Sequence, residues 1–186
     1  FYQKHGKIPS KRHTIFPKPD NKGIYFEELI SRQGFSDIYS NVYHLRMPTQ
    51  VLTVNKFVQQ KAVVLKDQHR HRHIRTSELK KTGDAFFSRE LLFFNSDLQI
   101  HKAHIDQPMK YHYRNGHYDE LIYIQSGAGQ LNSNFGNLAL INGDYVVIPR
   151  GVIWQLKCEQ EIHALIIESS APVRTPRRYR NNHGQL

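Results

Sequence analysis

The stretch that decides the fold reads Gly143-Asp144-Tyr145-Val146-Val147-Ile148-Pro149-Arg150-Gly151-Val152-Ile153-Trp154. Five residues separate Gly143 from Pro149, which opens a Pro-x-Gly turn. A second element precedes this stretch: Glu120 is followed, after six residues, by Gly127. Glycine adopts the positive-φ turns that join strands, and Pro-x-Gly turns the chain tightly. The two elements therefore predict short β-strands connected by tight turns.

Short β-like runs continue this pattern on both sides. They are Val51 to Val54, Ala62 to Leu65, Leu91 to Phe94, Leu98 to Ile105, Met109 to Tyr113, Leu121 to Gln125, Gly129 to Phe135, Asn137 to Ile141, Tyr145 to Ile148, Ile153 to Lys157 and Ile162 to Glu168. Turn residues separate most of these runs. Many short strands with turns at regular intervals indicate an all-β sandwich or barrel, and the lack of a long helical stretch among them disfavours a parallel α/β sheet.

The same pattern predicts three segments. Residues 1–50, repeatedly broken by proline and glycine, predict an irregular wrapping arm whose one short helix lies at Tyr25 to Ile30. Residues 51–171 predict the β-sandwich, and residues 172–186 a basic linker. Because the chain begins without Met and stops after a polar run, we expect it to be a segment of a longer protein.

The net charge of +10 is concentrated outside the predicted strands. Residues 1–22, 66–81 and 174–180 hold sixteen of the twenty-six Lys and Arg residues but only three of the sixteen acidic ones. Such basicity fits either a nucleic-acid surface or solvated segments that meet acidic surfaces of neighbouring subunits. Because no RNA- or DNA-binding motif accompanies the charge, we favour the second interpretation and expect no nucleic-acid partner.

Composition also limits the cellular location and the classes of active site that the chain can have. No stretch approaches the ~18 apolar residues of a membrane span, and no signal peptide is evident. We therefore expect no membrane partner and a cytoplasmic location. Cys158 is the only cysteine, which excludes an internal disulfide framework and a Cys-rich metal site. The glycine patterns of serine hydrolases, P-loop proteins and Rossmann folds are absent.

The two glycine-containing elements resemble the motifs of the cupin fold, a jelly roll also described as a double-stranded β-helix. Cupins place His-x-His before the motif-one Glu, and a second His follows Pro-x-Gly after two intervening residues, so that these side chains converge on one metal ion. In this chain the second-motif His position falls on Trp154. Since an indole offers only an N–H donor, Trp154 cannot ligate a metal.

The histidines near these motifs leave two metal-site alternatives open. The first-motif His positions fall among residues 113–116, and His112 and His117 lie nearby at the wrong spacing. A site from His112, His117 and Glu120 therefore competes with an interpretation as polar residues at a loop mouth. His69, His71 and His73 could share one strand face. The interleaved arginines disfavour a divalent cation there and favour an exposed or interface loop.

Taken together, the chain resembles the homogentisate 1,2-dioxygenase family, in particular the N-terminal half of its shorter bacterial-type members. The resemblance covers essentially the whole chain. It rests on Ile8 to Thr14, Tyr25 to Leu29, Tyr43 to Leu45, His71 to Thr76, Asp119 to Leu121, Gly143 to Gly151 and Pro176 to Asn181.

This resemblance implies a bicupin enzyme of tyrosine and phenylalanine catabolism. Such enzymes use O₂ and one non-haem Fe(II), held by two His and one Glu, to open the ring of homogentisate to maleylacetoacetate. In the family the iron ligands belong to the C-terminal cupin. The resemblance therefore assigns no catalytic, cofactor-binding or metal-binding residue to this segment.

The implied partners are a C-terminal cupin half of the same protein, further copies in a trimer-based homo-oligomer, and a small aromatic acid substrate. Two alternatives compete with this interpretation. One is a stand-alone, metal-free cupin that binds a small ligand. The other is a metal-dependent single-cupin enzyme, which Trp154 at a ligand position disfavours.

Overall fold

A computed structural model describes residues 15–20, 22–31, 39–57, 62–64, 70–181 and 185 of the chain. The strands of this described part are β1 (Phe26–Ser31), β2 (Tyr39–His44), β3 (Glu90–Phe94), β4 (Leu98–Ile105), β5 (Tyr113–Arg114), β6 (Asp119–Ser126), β7 (Gly129–Ser133), β8 (Gly136–Leu140), β9 (Tyr145–Ile148), β10 (Ile153–Cys158) and β11 (Ile162–Ser169). Single 3₁₀ turns lie at Thr76–Glu78 and Arg177–Tyr179. No helix among these residues is long and apolar enough to cross a membrane.

The chain divides into two compact units. Among the described residues, one unit comprises those within 1–55, 134–136 and 174–186, and the other comprises those within 56–133 and 137–173. The predicted division into an arm, a sandwich and a linker stays a prediction.

The first unit contains an antiparallel hairpin of β1 and β2, paired from Phe26 with His44 to Ser31 with Tyr39. His44 Nε2 lies 2.8 Å from Glu28 Oε2 across this pair. The short helix predicted at Tyr25 to Ile30 is therefore wrong, and strands stand within the segment predicted to be irregular. Pairing with β2 overrides the local preference, because strand formation depends on cross-strand neighbours more than on intrinsic propensity.

The second unit contains two antiparallel sheets. The five-stranded sheet has the order β3-β4-β11-β6-β9, and the four-stranded sheet has the order β5-β10-β7-β8. Of the residues in these two sheets, only Gly136, the first residue of β8, is assigned to the first unit. From β4 onward the pairing is nested: β11 lies between β4 and β6, and β10 lies between β5 and β7. Eight strands paired in this way across two sheets form a jelly roll. The predicted all-β jelly roll is therefore confirmed.

Period-two alternation places the core of this unit. Along β11, Ile162, Ala164, Ile166 and Glu168 are buried while the residues between them are more exposed. The same alternation buries Trp154 and Leu156 on β10. Because neighbouring side chains of a strand point to opposite faces, each sheet has one face toward the core and one face outward. A charged residue, Glu168, thus stands at a core position.

Two predicted strands are absent from the described residues. Residues 51–57 and 62–64 have no strand structure, and Leu52 and Val54 are 84% and 86% exposed. These apolar runs find no partner strand there, so local preference alone does not make them strands. Of the run predicted at Met109 to Tyr113, only Tyr113 joins a strand. Leu65, His69 and the family segment Ile8 to Thr14 lie outside the described residues.

Two of the turns predicted from glycine bring the backbone into contact with another segment of the chain. Gly151 adopts φ +86°, and its N–H donates to Asn115 O over 2.8 Å. Gly127 adopts φ +93°, and a Cβ there would lie 2.0 Å from Glu161 O. A left-handed conformation and a close backbone approach both favour glycine. Gly127 therefore fixes the position of the residue that precedes β11.

Candidate functional site

A buried ion cluster lies on the inner face of the five-stranded sheet. Glu120 on β6 and Glu168 on β11 are direct cross-strand neighbours. Arg89, the residue before β3, donates from Nη1 to Glu120 Oε1 at 2.6 Å and to Glu168 Oε1 at 2.8 Å. The Arg89 and Glu120 side chains are 3% and 0% exposed. Since like charges directly opposite each other repel, the guanidinium between the two carboxylates is what makes their pairing tolerable.

The remaining carboxylate oxygens also have partners. Trp154 Nε1 donates to Glu120 Oε2 at 3.1 Å, and His101 Nε2 lies 3.2 Å from Glu168 Oε2. Asn115 Nδ2 donates to Glu168 Oε1 at 3.1 Å. The cluster thus satisfies all four carboxylate oxygens, as buried polar groups require. It ties β4, β6, β10 and β11 to the segment before β3.

A short turn positions Arg89. Asp84 Oδ1 accepts from the N–H groups of Phe86 and Phe87, each at 2.9 Å. Arg89 Nε donates to Ala85 O at 3.0 Å. The guanidinium carbon lies 5.6 Å from the ring centroids of both Phe86 and Tyr113, a distance at which a cation is attracted to an aromatic ring. The other guanidinium nitrogen, Nη2, is buried without an acceptor among the described residues.

The charged groups of the cluster shift one another's pKa values. Although burial alone would lower the pKa of Arg89, the adjacent Glu120 and Glu168 raise it above its ordinary value, so Arg89 stays cationic. Burial raises the pKa of Glu120 against the opposing charge of Arg89. For Glu168, the His101 hydrogen bond and the charge of Arg89 outweigh burial and lower the pKa.

The interior of this sandwich does not fit a metal ion. Glu120 is the Glu of the first cupin motif, but one of its oxygens is taken by Arg89 and the other by Trp154. Trp154 stands at the second-motif His position, is fully buried, and its indole has no lone pair to offer. The guanidinium already supplies the positive charge that a metal would bring to Glu120.

The two histidine metal sites that the sequence left open do not form in the part of the chain that the structure describes. His112 and His117 are exposed whereas Glu120 is fully buried, so the described residues do not bring the three together. His71 and His73 are exposed and lie in backbone that is not a strand. The premise of a shared strand face therefore fails for them.

Burial raises the pKa of the Cys158 thiol, which disfavours a nucleophilic thiolate.

Sequence reasoning missed Arg89, His101 and Glu168. Glu168 carried a usable signal, because it falls at a core parity in the apolar run Ile162 to Glu168. Arg89 carried none, since it precedes a strand and only the turn that begins at Asp84 directs it inward. A further group, formed by His104, Glu161 and His163, was also missed, because fifty-nine positions separate the two histidines in the sequence.

Comparison with known proteins identifies relatives of the chain. Residues 89–177 match the family model described as homogentisate 1,2-dioxygenase N-terminal. The protein named "Putative dioxygenase SSO1533" from Saccharolobus solfataricus is 38% identical over 188 residues, which cover 100% of this chain and 48% of that protein. The chain thus spans about half the length of the curated relative it matches.

Solved structures of cupin proteins are also similar to parts of the chain. A cupin-2 domain protein of Shewanella frigidimarina is 23% identical with a TM-score of 0.41, over 45% of this chain and 80% of that one. An RmlC-like cupin of the same organism is 19% identical with a TM-score of 0.45, over 56% of this chain and 94% of that one. The family match over residues 89–177 and the relative named as a putative dioxygenase confirm the predicted resemblance to the N-terminal part of the homogentisate 1,2-dioxygenase family, and the jelly-roll topology of the described strands agrees with a cupin-type fold.

Proposed function

We propose that this chain is the non-metal N-terminal cupin of a cytoplasmic Fe(II) dioxygenase that opens the ring of homogentisate, a small aromatic acid, to maleylacetoacetate in tyrosine and phenylalanine catabolism. The observation that carries the proposal is the bridge from Arg89 to Glu120 and Glu168. A guanidinium stands beside the very Glu that metal-binding cupins use as a ligand. This half of the enzyme would therefore be a scaffold for a catalytic half that holds the iron.

The cluster explains how such a scaffold works without a metal. One cation links a carboxylate on β6 to a carboxylate on β11 and to the turn before β3. Hydrogen bonds to charged groups are the stronger class of hydrogen bond, and those that the four carboxylate oxygens accept join β4, β6, β10 and β11. Fe(II), when bound by residues outside this chain, would supply the activation of O₂. The residues described here would hold the surface on which that half packs.

The outer face of the five-stranded sheet supports a packing role. Cross-strand partners there form an apolar row of Val147, Leu121, Ile167, Ile100 and Phe93. Val147 and Phe93 remain 42% and 48% exposed. A continuous apolar row on a sheet face is typical of an interaction surface. We assign to it the C-terminal half of the same protein or another copy in a trimer-based homo-oligomer, and we propose neither a nucleic-acid nor a membrane partner.

The proposal is tested by comparing the whole parent protein with this chain alone. Both are loaded with Fe(II) without oxygen, desalted, and mixed with homogentisate and O₂ while oxygen uptake and product absorbance are followed. We expect turnover by the parent, loss of turnover after chelation, and no turnover by the chain alone.

Turnover by this chain alone would contradict the assignment of a scaffold role. A parent that is inert toward homogentisate but opens another dihydroxylated aromatic acid would overturn the substrate. If homogentisate instead raised the melting temperature of the isolated chain, as a ligand of the folded state must, the chain would be a ligand-binding cupin.

A further inference from the structure

A second group of ligating side chains lies on the outer face of the five-stranded sheet. His104 on β4 and His163 on β11 are direct partners in the antiparallel ladder. Their ring centroids are 4.3 Å apart and their planes are tilted by 30°. The residues on either side of each histidine are buried, and because side chains alternate along a strand, both imidazoles point away from the core.

Glu161 completes the group from the position before β11. Its Oε1 accepts a hydrogen bond from His104 Nε2 and lies 3.3 Å from His163 Nε2. The three ligand atoms all lie within 4.8 Å of one another. Two imidazole nitrogens and one carboxylate oxygen form a donor set that Zn²⁺ and related divalent transition metals prefer, with room for water to complete the coordination.

The surrounding backbone holds this group in place. Gly127 allows the close approach that positions Glu161, since any Cβ at Gly127 would meet Glu161 O at 2.0 Å. A β-bulge interrupts the pairing of β11 with β6 between His163 and Ala164. Bulges re-aim side chains and are frequent beside functional sites. The strand pairing, the bulge and the close contact at Gly127 thus set the backbone positions of the three residues.

The charge environment permits a cation. Lys81 and Lys102 line the same cleft, but the Lys81 ammonium donates to Arg89 O and the Lys102 ammonium donates to Gln125 Oε1. Both cations therefore have hydrogen-bond acceptors outside the group of three ligating side chains.

We propose that His104, Glu161 and His163 bind one divalent transition-metal ion of the Zn²⁺ class, with water in the remaining positions. The side chains are 24%, 55% and 37% exposed, so the ion reaches the site from solvent. This site is separate from the iron of the proposed dioxygenase activity. Because it joins β4 to β11, the bound ion stabilises the sandwich through binding to the folded state.

Calorimetric titration of the chelator-treated chain with Zn²⁺ tests this proposal. We expect one ion per chain, and an affinity at least about tenfold weaker in each of His104→Asn, His163→Asn and Glu161→Gln, since even partners of a metal ligand are worth that much. The matched control is the double variant His71→Asn with His73→Asn, which removes two exposed histidines elsewhere.

A second readout makes the test independent of calorimetry. Zn²⁺ should raise the melting temperature of the original chain and of the control, but not that of the three site variants, whose circular dichroism without metal should match the original. The proposal is overturned if the original chain binds no Zn²⁺, if the site variants bind it equally well, or if the control loses as much affinity as they do.

Discussion

Replacing Arg89 with Ala is expected to lower the free energy of unfolding by about 3–5 kcal/mol, the usual cost of removing one partner of a buried ion pair. The substitution leaves Glu120 and Glu168 side by side in the core with no cation between them. It also removes the ring contacts that the guanidinium makes with Phe86 and Tyr113. Denaturant unfolding at pH 7.5 measures the loss.

Arg75→Ala is the matched control, because Arg75 pairs with Glu78 on the surface at 72% and 68% exposure. Such pairs are worth little in water, so this variant should unfold like the original chain. If Arg89→Ala were no more destabilising than Arg75→Ala, the guanidinium would not be holding the carboxylates together.

The loss in Arg89→Ala should shrink as the pH falls. Burial already raises the pKa of Glu120 in the presence of Arg89, and without the cation both buried carboxyl groups should have pKa values above those in the unfolded chain. Groups with raised pKa values stabilise the folded state below their unfolded pKa, about 4.3 for Glu, and lose that contribution as the pH rises through the folded pKa. The gap to the original chain is therefore expected to be smaller at pH 5 than at pH 7.5. A gap that widened toward pH 5 would contradict this account.

Replacing Trp154 with Ala is expected to cost about 3–5 kcal/mol, as for other large aromatics in protein cores. Trp154 is fully buried, and its ring meets Tyr113 edge to face with centroids 5.5 Å apart. The substitution opens a cavity and removes the N–H that Glu120 Oε2 accepts. Trp154→Phe keeps an aromatic ring but loses the N–H donor and part of the indole volume. The loss of the donor to the buried Glu120 carboxylate alone should cost about 1–3 kcal/mol.

Thermal and denaturant unfolding of these two variants, with Tyr145→Ala as the control at a 67% exposed aromatic, measure the effect. We expect Trp154→Ala to be the least stable and Tyr145→Ala to be close to the original. A Trp154→Ala variant as stable as the original would mean that this register of the second cupin motif is wrong. Trp154→His should also destabilise, because a lone imidazole there is a poorly partnered polar group.

The glycine and proline spacing made the fold predictable. Gly127, Gly143 and Gly151 adopt the positive φ values that the motif requires, and Trp154, at the motif position whose side chain points inward in cupins, is fully buried. Local patterns predicted less well where pairing decides the outcome. The segment after Tyr25 is a strand because β2 lies beside it, whereas the apolar run at Val51 has no partner strand within the part of the chain that the structure describes.

The two clusters were harder to predict because long-range register creates them. His104 and His163 meet only because β4 and β11 pair in one particular register, which the sequence does not state. Arg89 reaches Glu120 through a turn held by Asp84, and no motif marks that turn. Fold-defining spacing is local and repeated, but the partners of a buried charge depend on which strands become neighbours.

The central claim is that the interior position used by cupin metals is filled here by Arg89 and Trp154. The most direct measurement is the iron content of the His104→Asn/His163→Asn double variant, which lacks the proposed surface site, after loading with Fe(II) without oxygen and desalting. We predict that this variant, folded as judged by circular dichroism, retains no stoichiometric iron. One tightly held iron ion per chain, lost on replacing Glu120 with Gln, would contradict the account.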